Sequence, residues 1–186
     1  MNEMKFIKIS WTQFAKDCIS LTKRLEDKKI DKIVAITRGG LVVARILSDL
    51  LDVPISHITI ASYANLQQQK VPRVTEASSN NYHGQTILIT DEVSDTGHTF
   101  KRALSYFENL SVGRIYTLAT YIKPKTIYTP DFYQRTINAW IIFPYEIKET
   151  ADAFMKMYKD KNLVKKKLTE VGYEPWEIVA VIDKHS

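Results

Sequence analysis

The chain has 186 residues, of which 45% are hydrophobic and 25% are charged, as is usual for a globular protein. That length favours one domain with a sizeable buried core. The net charge of +5 favours anionic ligands, a class that includes phosphates, nucleotides and nucleic acid. The single cysteine, Cys18, excludes an intramolecular disulfide and a cysteine-cluster metal site, and its helical spacing with apolar neighbours predicts a core position.

The hydropathy of the sequence argues against a membrane partner. No apolar run approaches the length of a membrane span, and residues 1–10 lack the apolar core of a signal peptide. The four histidines show no ligand-like spacing, which argues against a transition-metal site. We therefore expect a cytoplasmic protein.

Strands and helices are predicted to alternate along the chain. Ser10 and Gln13 have the spacing of a capping box, and they begin a helix with apolar residues Trp11, Phe14 and Cys18 on one face. The next predicted elements are a buried strand at 33–36, a helix at Gly40–Leu51, a strand at 55–61, a polar segment at 62–84, a strand from Ile87, a helix at about 97–109 and a strand at Arg114–Ile122. Such alternation predicts a parallel sheet with helices on both faces.

The most informative segment is residues 87–99. An apolar, β-branched strand ends on two adjacent acids, Asp91 and Glu92, and the chain then turns through Asp95, Thr96 and Gly97 into a helix. Open α/β sheets place ligands at the carboxyl ends of their strands, and the backbone N–H groups of a helix N-terminus attract anions. Acids able to hold sugar hydroxyls or a metal therefore stand beside an anion site, which points to a phosphorylated sugar.

This segment resembles the phosphoribosyl-diphosphate-binding motif of the type I phosphoribosyltransferases, and the chain is most similar to the xanthine–guanine enzymes among them. The resemblance covers roughly residues 11–146 and implies an α/β fold with a mainly parallel central sheet and a small hood. The expected domain organisation is a core with its hood over residues 1–147, with hood elements near 1–11 and 123–147. Residues 148–186 would be a helical C-terminal extension of the same domain.

The resemblance also implies roles for the motif residues. Asp91 and Glu92 would hold the ribose hydroxyls directly or through Mg²⁺, and Asp95 would be the catalytic acid/base at N7 of a purine. Glu92 stands where the bacterial enzymes have aspartate, which adds a methylene. The residues expected to bind phosphoribosyl diphosphate and its 5′-phosphate are Asp91, Glu92, Ser94, Asp95, Thr96, Gly97, His98 and Thr99.

A second strand-to-helix turn has the sequence Thr37-Arg38-Gly39-Gly40. Two glycines allow the backbone to approach an oxyanion, and the guanidinium of Arg38 can make a forked contact with phosphate oxygens. In the family, the loop at this place binds diphosphate.

The polar segment at 62–84 is predicted to be a loop or a mobile hairpin. In the family such a loop closes over the active site, and Ser62-Tyr63 resembles the dipeptide at which it begins. Lys70 and Arg73 could bring positive charge to a departing diphosphate, while a solvated surface role for both is equally compatible with the sequence.

The base-binding residues are implied by the resemblance alone. Lys123 matches the lysine that donates to the exocyclic oxygen of a 6-oxopurine, and Trp140 matches the aromatic residue that stacks on the ring. Backbone groups at Ile141 would contact the other edge of the base.

The tail has no counterpart in the resemblance. Residues 152–171 are helical in character and carry a lysine run at 165–167, and residues 176–182 could add to the core or a sheet edge. We favour an accessory helix packed on the hood or at a subunit interface, with its lysines in solvent, over a nucleic-acid contact.

Two functions therefore remain open. The favoured one is a 6-oxopurine salvage enzyme that uses phosphoribosyl diphosphate and Mg²⁺ and assembles as a homodimer or higher homo-oligomer. The rival is a regulatory protein that senses phosphoribosyl diphosphate on the same fold and binds nucleic acid. Adenine or orotate as the substrate is a further alternative within the enzyme class.

Overall fold

The computed structural model describes residues 5–64, 67–78 and 81–182, and over residues 62–71 it describes the backbone only. In chain order the elements are β1 (Phe6–Lys8), α1 (Trp11–Lys23), β2 (Lys32–Thr37), α2 (Gly40–Leu51), β3 (Ile55–Ala64), β4 (Gln67–Ala77), β5 (Thr86–Ser94), α3 (His98–Phe107), β6 (Arg114–Ile122), β7 (Phe132–Thr136), β8 (Trp140–Ile142), α4 (Ile147–Tyr158), α5 (Lys161–Glu170) and α6 (Pro175–Ile182). None of the helices in these described ranges combines the length and the apolar character needed to cross a bilayer.

The chain divides into two compact units. One, here called the sheet unit, is Ala15–Ile137; the other, the terminal unit, comprises the chain up to Phe14 and from Asn138 onward. Helix α1 begins in the terminal unit and continues into the sheet unit. The boundary predicted between residues 147 and 148 stays a prediction.

The sheet unit is built on six strands in the order β4-β3-β2-β5-β6-β7, all parallel except for the antiparallel edge strand β4. The central strands β2 and β5 are almost fully buried, because helices cover a parallel sheet on both faces. On one face, Phe100, Ala103 and Phe107 of α3 pack on alternate apolar residues of β2, β3 and β5. The predicted α/β fold with a mainly parallel sheet is confirmed.

The terminal unit contains the parallel strand pair β1 and β8 and the three C-terminal helices. Phe6 of β1 and Ile142 of β8 pack with Phe154, Val164 and Leu168 from the helices in one apolar cluster. The terminal unit therefore has a core of its own, to which the C-terminal helices contribute most of the side chains.

Residues 152–171, predicted to be helical in character, are helical in two parts: the end of α4 and the whole of α5. Lys159 adopts a left-handed conformation with φ 56° and ends α4, and the Asp160 carboxylate accepts hydrogen bonds from the N–H groups of Asn162 and Leu163 at the start of α5. Residues 176–182, predicted as a core or edge segment, belong to helix α6.

Other local predictions agree closely with the structure. Helix Gly40–Leu51 and strand Arg114–Ile122 have the predicted bounds. Within the polar segment predicted as a loop or a mobile hairpin, residues 62–64 and 67–77 lie on the antiparallel strands β3 and β4. Ser10 caps α1 by accepting from the N–H group of Gln13, and Cys18 is fully buried, which raises the pKa of its thiol to about 12.

Candidate active site

The parallel strands of the sheet unit bring three chain reversals to one edge. Strand β2 ends at Thr37, β5 ends at Ser94 and β6 ends at Ile122, and the pairing places Ser94 opposite Ile122. The segments that follow these strands are therefore neighbours at the carboxyl edge, where open α/β sheets bind ligands.

The turn after β2 rests directly on the end of β5. A Cβ atom added at Gly40 would overlap the backbone carbonyl oxygen of Thr90, and one added at Gly39 would overlap the carboxylate of Glu92. The Thr37 hydroxyl lies 2.7 Å from the Thr59 hydroxyl on β3. Glycine is thus required at position 40, where the turn packs on the backbone of β5, whereas the neighbour of Gly39 is the end of a flexible side chain.

The two adjacent acids are not equivalent. Asp91 and Glu92 are successive residues of β5, so their side chains project to opposite faces of the sheet. The Glu92 carboxylate faces the Gly39 turn, whereas Asp91 is 9% exposed and its Oδ1 accepts from the Glu92 N–H group at 3.0 Å. Glu92 is therefore the acid beside the β2 turn.

The turn after β5 leads into α3 through Gly97. This residue has φ +84°, and a Cβ atom on it would lie 2.6 Å from the backbone nitrogen of Tyr128. Helix α3 begins at His98, whose side chain is exposed, and Thr99 is half-buried. A left-handed glycine followed by a helix N-terminus is a geometry that suits an anion.

The loop after β6 is fastened to this turn by hydrogen bonds. The N–H group of Lys123 donates to the carbonyl of Ser94, and that of Ile127 donates to the carbonyl of Thr96, both at 3.0 Å. The buried Ser94 hydroxyl lies 2.8 Å from the Thr126 hydroxyl and donates to the carbonyl of Tyr128 at 2.9 Å. Ser94, predicted as a phosphate ligand, thus engages protein partners in this structure.

Two lysines of the loop after β6, Lys123 and Lys125, interact electrostatically with Asp95. The Lys125 ammonium forms an ion pair with Asp95 Oδ1 at 3.2 Å, and both side chains are at least half exposed. Burial lowers the pKa of Lys123; the Asp95 carboxylate opposes that shift and the Lys125 ammonium adds to it. Sequence reasoning missed Lys125, although its position two residues after Lys123 was a usable signal.

Comparisons with known proteins agree with this geometry. A family model described as the phosphoribosyl transferase domain matches residues 10–150. The chain is 32% identical over 149 residues to a xanthine-guanine phosphoribosyltransferase of Cereibacter sphaeroides, covering 75% of this chain and 86% of that protein. The chain belongs to the phosphoribosyltransferase family.

Solved structures carry the same fold. A purine phosphoribosyltransferase of Pyrococcus horikoshii superposes with a TM-score of 0.71 at 30% identity, covering 77% of this chain and 95% of that one. A xanthine-guanine-hypoxanthine phosphoribosyltransferase of Helicobacter pylori superposes with a TM-score of 0.68 at 21% identity, covering 81% and 99% of the two chains. The resemblance inferred from the 87–99 motif is thereby confirmed.

Within this phosphoribosyltransferase, the sheet unit brings together most of the predicted site residues. The residues gathered at its carboxyl edge are Thr37, Arg38, Gly39, Gly40, Asp91, Glu92, Ser94, Asp95, Thr96, Gly97, His98, Thr99 and Lys123. Trp140 and Ile141 belong to β8 in the terminal unit, where Trp140 is 42% exposed and Ile141 is buried.

The predicted closing segment is only partly described. Arg73 lies on β4 and is exposed. The side chains of Ser62, Tyr63 and Lys70 lie outside the described residues, so their predicted role stays a prediction.

The acids of the β5 end suit a metal that arrives with its substrate. Within residues 5–64, 67–78 and 81–182, no cluster of three His, Cys, Asp or Glu side chains forms a metal cage. Mg²⁺ usually takes one or two carboxylates together with substrate phosphates and water. Glu92 beside the Gly39 turn, with Asp91 on the opposite face of the strand, offers carboxylates of that kind.

Proposed function

We propose that this phosphoribosyltransferase transfers the 5-phosphoribosyl group of phosphoribosyl diphosphate to N9 of a 6-oxopurine. The products would be the nucleoside 5′-monophosphate and diphosphate, with guanine, hypoxanthine and xanthine as the candidate bases. The observation that carries the proposal is the packing of the Gly39–Gly40 turn on the acid-bearing end of β5, next to the helix turn at Gly97. The similarity to purine and xanthine-guanine enzymes supports the purine as acceptor.

The sugar phosphate would be held at both turns. Backbone N–H groups and hydroxyls of Thr96, Gly97, His98 and Thr99 would bind the 5′-phosphate at the N-terminus of α3. The side chain of Arg38, which is exposed in the first turn, would bind the diphosphate.

The ribose and the leaving group need different acids. Because Asp91 and Glu92 project to opposite faces, we assign the ribose hydroxyls to Asp91 and the diphosphate side, through Mg²⁺, to Glu92 beside Gly39. Bound Mg²⁺ would neutralise charge on the departing diphosphate. Arg73, and Lys70 on the same strand, would add positive charge there.

The reaction is a displacement at the anomeric carbon. The lone pair of N9 forms the bond to C1′ as the bond from C1′ to the diphosphate oxygen breaks, and the base then loses its N7 proton. Asp95 is the proposed acceptor of that proton, since its carboxylate is exposed at the site edge. An acid/base group of this kind contributes about 10²–10⁴-fold in rate.

The residues proposed to recognise the base are those that the family resemblance implies. Lys123 would donate to O6 of the purine, and a donor at this place favours a carbonyl over the amino group of adenine. Trp140, with its exposed ring, would stack on the base, and the backbone of Ile141 would contact its other edge. We further propose a cytoplasmic location and a homodimer or higher homo-oligomer, with no nucleic-acid partner.

The test is an absorbance assay with phosphoribosyl diphosphate, Mg²⁺ and one base at a time. Guanine, hypoxanthine, xanthine, adenine and orotate are offered in parallel, and EDTA is added in a second series. We expect turnover of at least one 6-oxopurine and its loss with EDTA. Turnover of adenine or orotate alone would overturn the base assignment. Binding of phosphoribosyl diphosphate with no turnover of any base would instead favour the regulatory function.

A further inference from the structure

The C-terminal helices are tied to the strand pair that carries Trp140 and Ile141. Strand β1 pairs with β8 so that Phe6 stands opposite Trp140 and Ile7 opposite Ile141. The Trp140 N–H group donates to the carbonyl of Lys5 at 2.7 Å. Any displacement of β1 therefore displaces the backbone at Trp140.

Strand β1 is short, and neighbouring elements hold it in place. It has three residues and one partner strand, and so short a two-stranded pair has little stability by itself. Phe6 meets the ring of Phe154 edge-on at 5.0 Å, which anchors one side of the strand on α4. Directly after the strand, the N–H group of Ile9 donates to the carbonyl of Ile142 at 2.9 Å, and a further anchor is polar.

That polar anchor is Lys8. Its ammonium donates to the carbonyl of Gly172 at 2.9 Å, pairs with the Glu177 carboxylate and lies 4.7 Å from the centroid of the Tyr173 ring. The side chains of Lys8 and Glu177 are 18% and 7% exposed. Solvent therefore screens this pair far less than the surface pairs of the unit.

The acid is itself fixed in place at the start of α6. Glu177 Oε2 accepts from the N–H group of Glu174 at 2.7 Å, and the Tyr173 hydroxyl donates to the carbonyl of Ile147 at 3.0 Å. The segment that receives the Lys8 ammonium is thus hydrogen-bonded to both α4 and α6.

We propose that the C-terminal helices position the base-binding strand β8, and that the Lys8–Glu177 pair is the positioning contact. Lys8 touches no substrate; it acts through β1 on the backbone at Trp140 and Ile141. The inference rests on the proposed function, and it assigns the extension a role in binding the purine.

The test compares Lys8→Met with Lys148→Met. The first variant keeps the apolar stem of Lys8 and removes its ammonium, while the second breaks the exposed Lys148–Asp152 pair of the same unit. We expect Lys8→Met to raise the KM for the purine about tenfold, which corresponds to a loss of about 1.4 kcal/mol in base binding. The KM for phosphoribosyl diphosphate should change by less than about twofold, and Lys148→Met should leave both constants unchanged.

Amide hydrogen exchange provides a readout that does not depend on turnover. Exchange at the Trp140 N–H group should be faster in Lys8→Met than in Lys148→Met, because the strand pair opens more often. Lys8→Arg should restore the purine KM, since a guanidinium can still reach the acid. Should Lys8→Met fail to fold, Glu177→Gln is measured instead, with a smaller rise of about threefold expected in the same direction.

The results separate the two proposals. An unchanged purine KM in folded Lys8→Met, or an equal rise in both KM values, would overturn the positioning role. Absence of purine turnover in the unmodified protein would instead overturn the proposed function, and the Trp140 exchange rates would still decide whether Lys8 holds the strand.

Discussion

Gly39 lies against the carboxylate of Glu92, so that the turn after β2 and the acid-bearing end of β5 form one continuous surface. Gly40, the next residue, lies against the backbone of Thr90. These two close approaches differ in kind, because the end of a glutamate side chain can rotate away whereas a backbone carbonyl inside a sheet cannot.

Substitution of Gly40 should therefore act mainly on stability, and substitution of Gly39 mainly on the binding of phosphoribosyl diphosphate. Gly40→Ala should lower the free energy of unfolding by about 1–3 kcal/mol, because a methyl group would overlap the Thr90 carbonyl oxygen. Gly39→Ala should cost less stability but raise the KM for phosphoribosyl diphosphate, because it displaces the Glu92 carboxylate. Urea unfolding and steady-state kinetics on both variants check this, and equal effects of the two on stability would contradict it.

Asp95→Asn should reduce kcat by about 10²–10⁴-fold while binding of phosphoribosyl diphosphate is retained, because the amide cannot take the N7 proton. The matched control is Asp49→Asn, another exposed aspartate in an ion pair, here with Arg45 on α2. The control should keep full turnover. Full turnover in Asp95→Asn would remove this residue from the mechanism.

The pH dependence of kcat/KM should change when Lys125 is substituted. Burial lowers the pKa of Lys123, so its ammonium is lost at a lower pH than that of an exposed lysine, and the Lys125 charge adds to that shift. Removing the neighbouring charge raises the pKa of Lys123. Lys125→Gln should therefore move the alkaline limb of kcat/KM for hypoxanthine to higher pH, most clearly at low ionic strength.

The control for that profile is Lys148→Gln in the terminal unit, which should leave the alkaline limb in place. Hypoxanthine ionises identically in the assays of the unmodified protein, Lys125→Gln and Lys148→Gln. A difference between their alkaline limbs therefore arises from the protein. A limb that stays in place in Lys125→Gln, or moves to lower pH, would contradict the electrostatic assignment.

The stability of the sheet unit should depend on a buried hydrogen bond between β6 and α1. The hydroxyl of the fully buried Tyr121 donates to Asp17 Oδ2 at 2.6 Å. Asp17 is 4% exposed, and its Oδ2 also accepts from Arg135 Nη2 at 3.4 Å. Tyr121→Phe should lower the free energy of unfolding by about 1–3 kcal/mol, because it removes a donor from a buried carboxylate. The half-buried Tyr133 offers the control Tyr133→Phe, and equal losses in urea unfolding would contradict the prediction.

Local patterns explain why parts of the structure were predictable. Helix Gly40–Leu51 and strand Arg114–Ile122 have strong periodicity and clear ends, and the 87–99 motif has fixed spacing. The opposite orientation of Asp91 and Glu92 also follows from strand alternation, although the resemblance implied the same role for both acids.

The rest depends on contacts between residues distant in sequence. Three such contacts leave no periodic signal in the chain: the approach of Gly39 to Glu92, the ion pair of Lys125 with Asp95, and the pairing of β1 with β8. The break between α4 and α5 was missed because Lys159 is not a glycine, and lysine rarely adopts positive φ.

The most direct measurement of the central claim is a competition in one vessel. Equal concentrations of guanine, hypoxanthine, xanthine, adenine and orotate are incubated with the protein, Mg²⁺ and phosphoribosyl diphosphate. The nucleotides formed are separated by chromatography and quantified by mass spectrometry. We predict that GMP, IMP or XMP forms first and in excess. Formation of AMP or orotidine monophosphate in excess, or of no nucleotide at all, would contradict the assignment of a 6-oxopurine phosphoribosyltransferase.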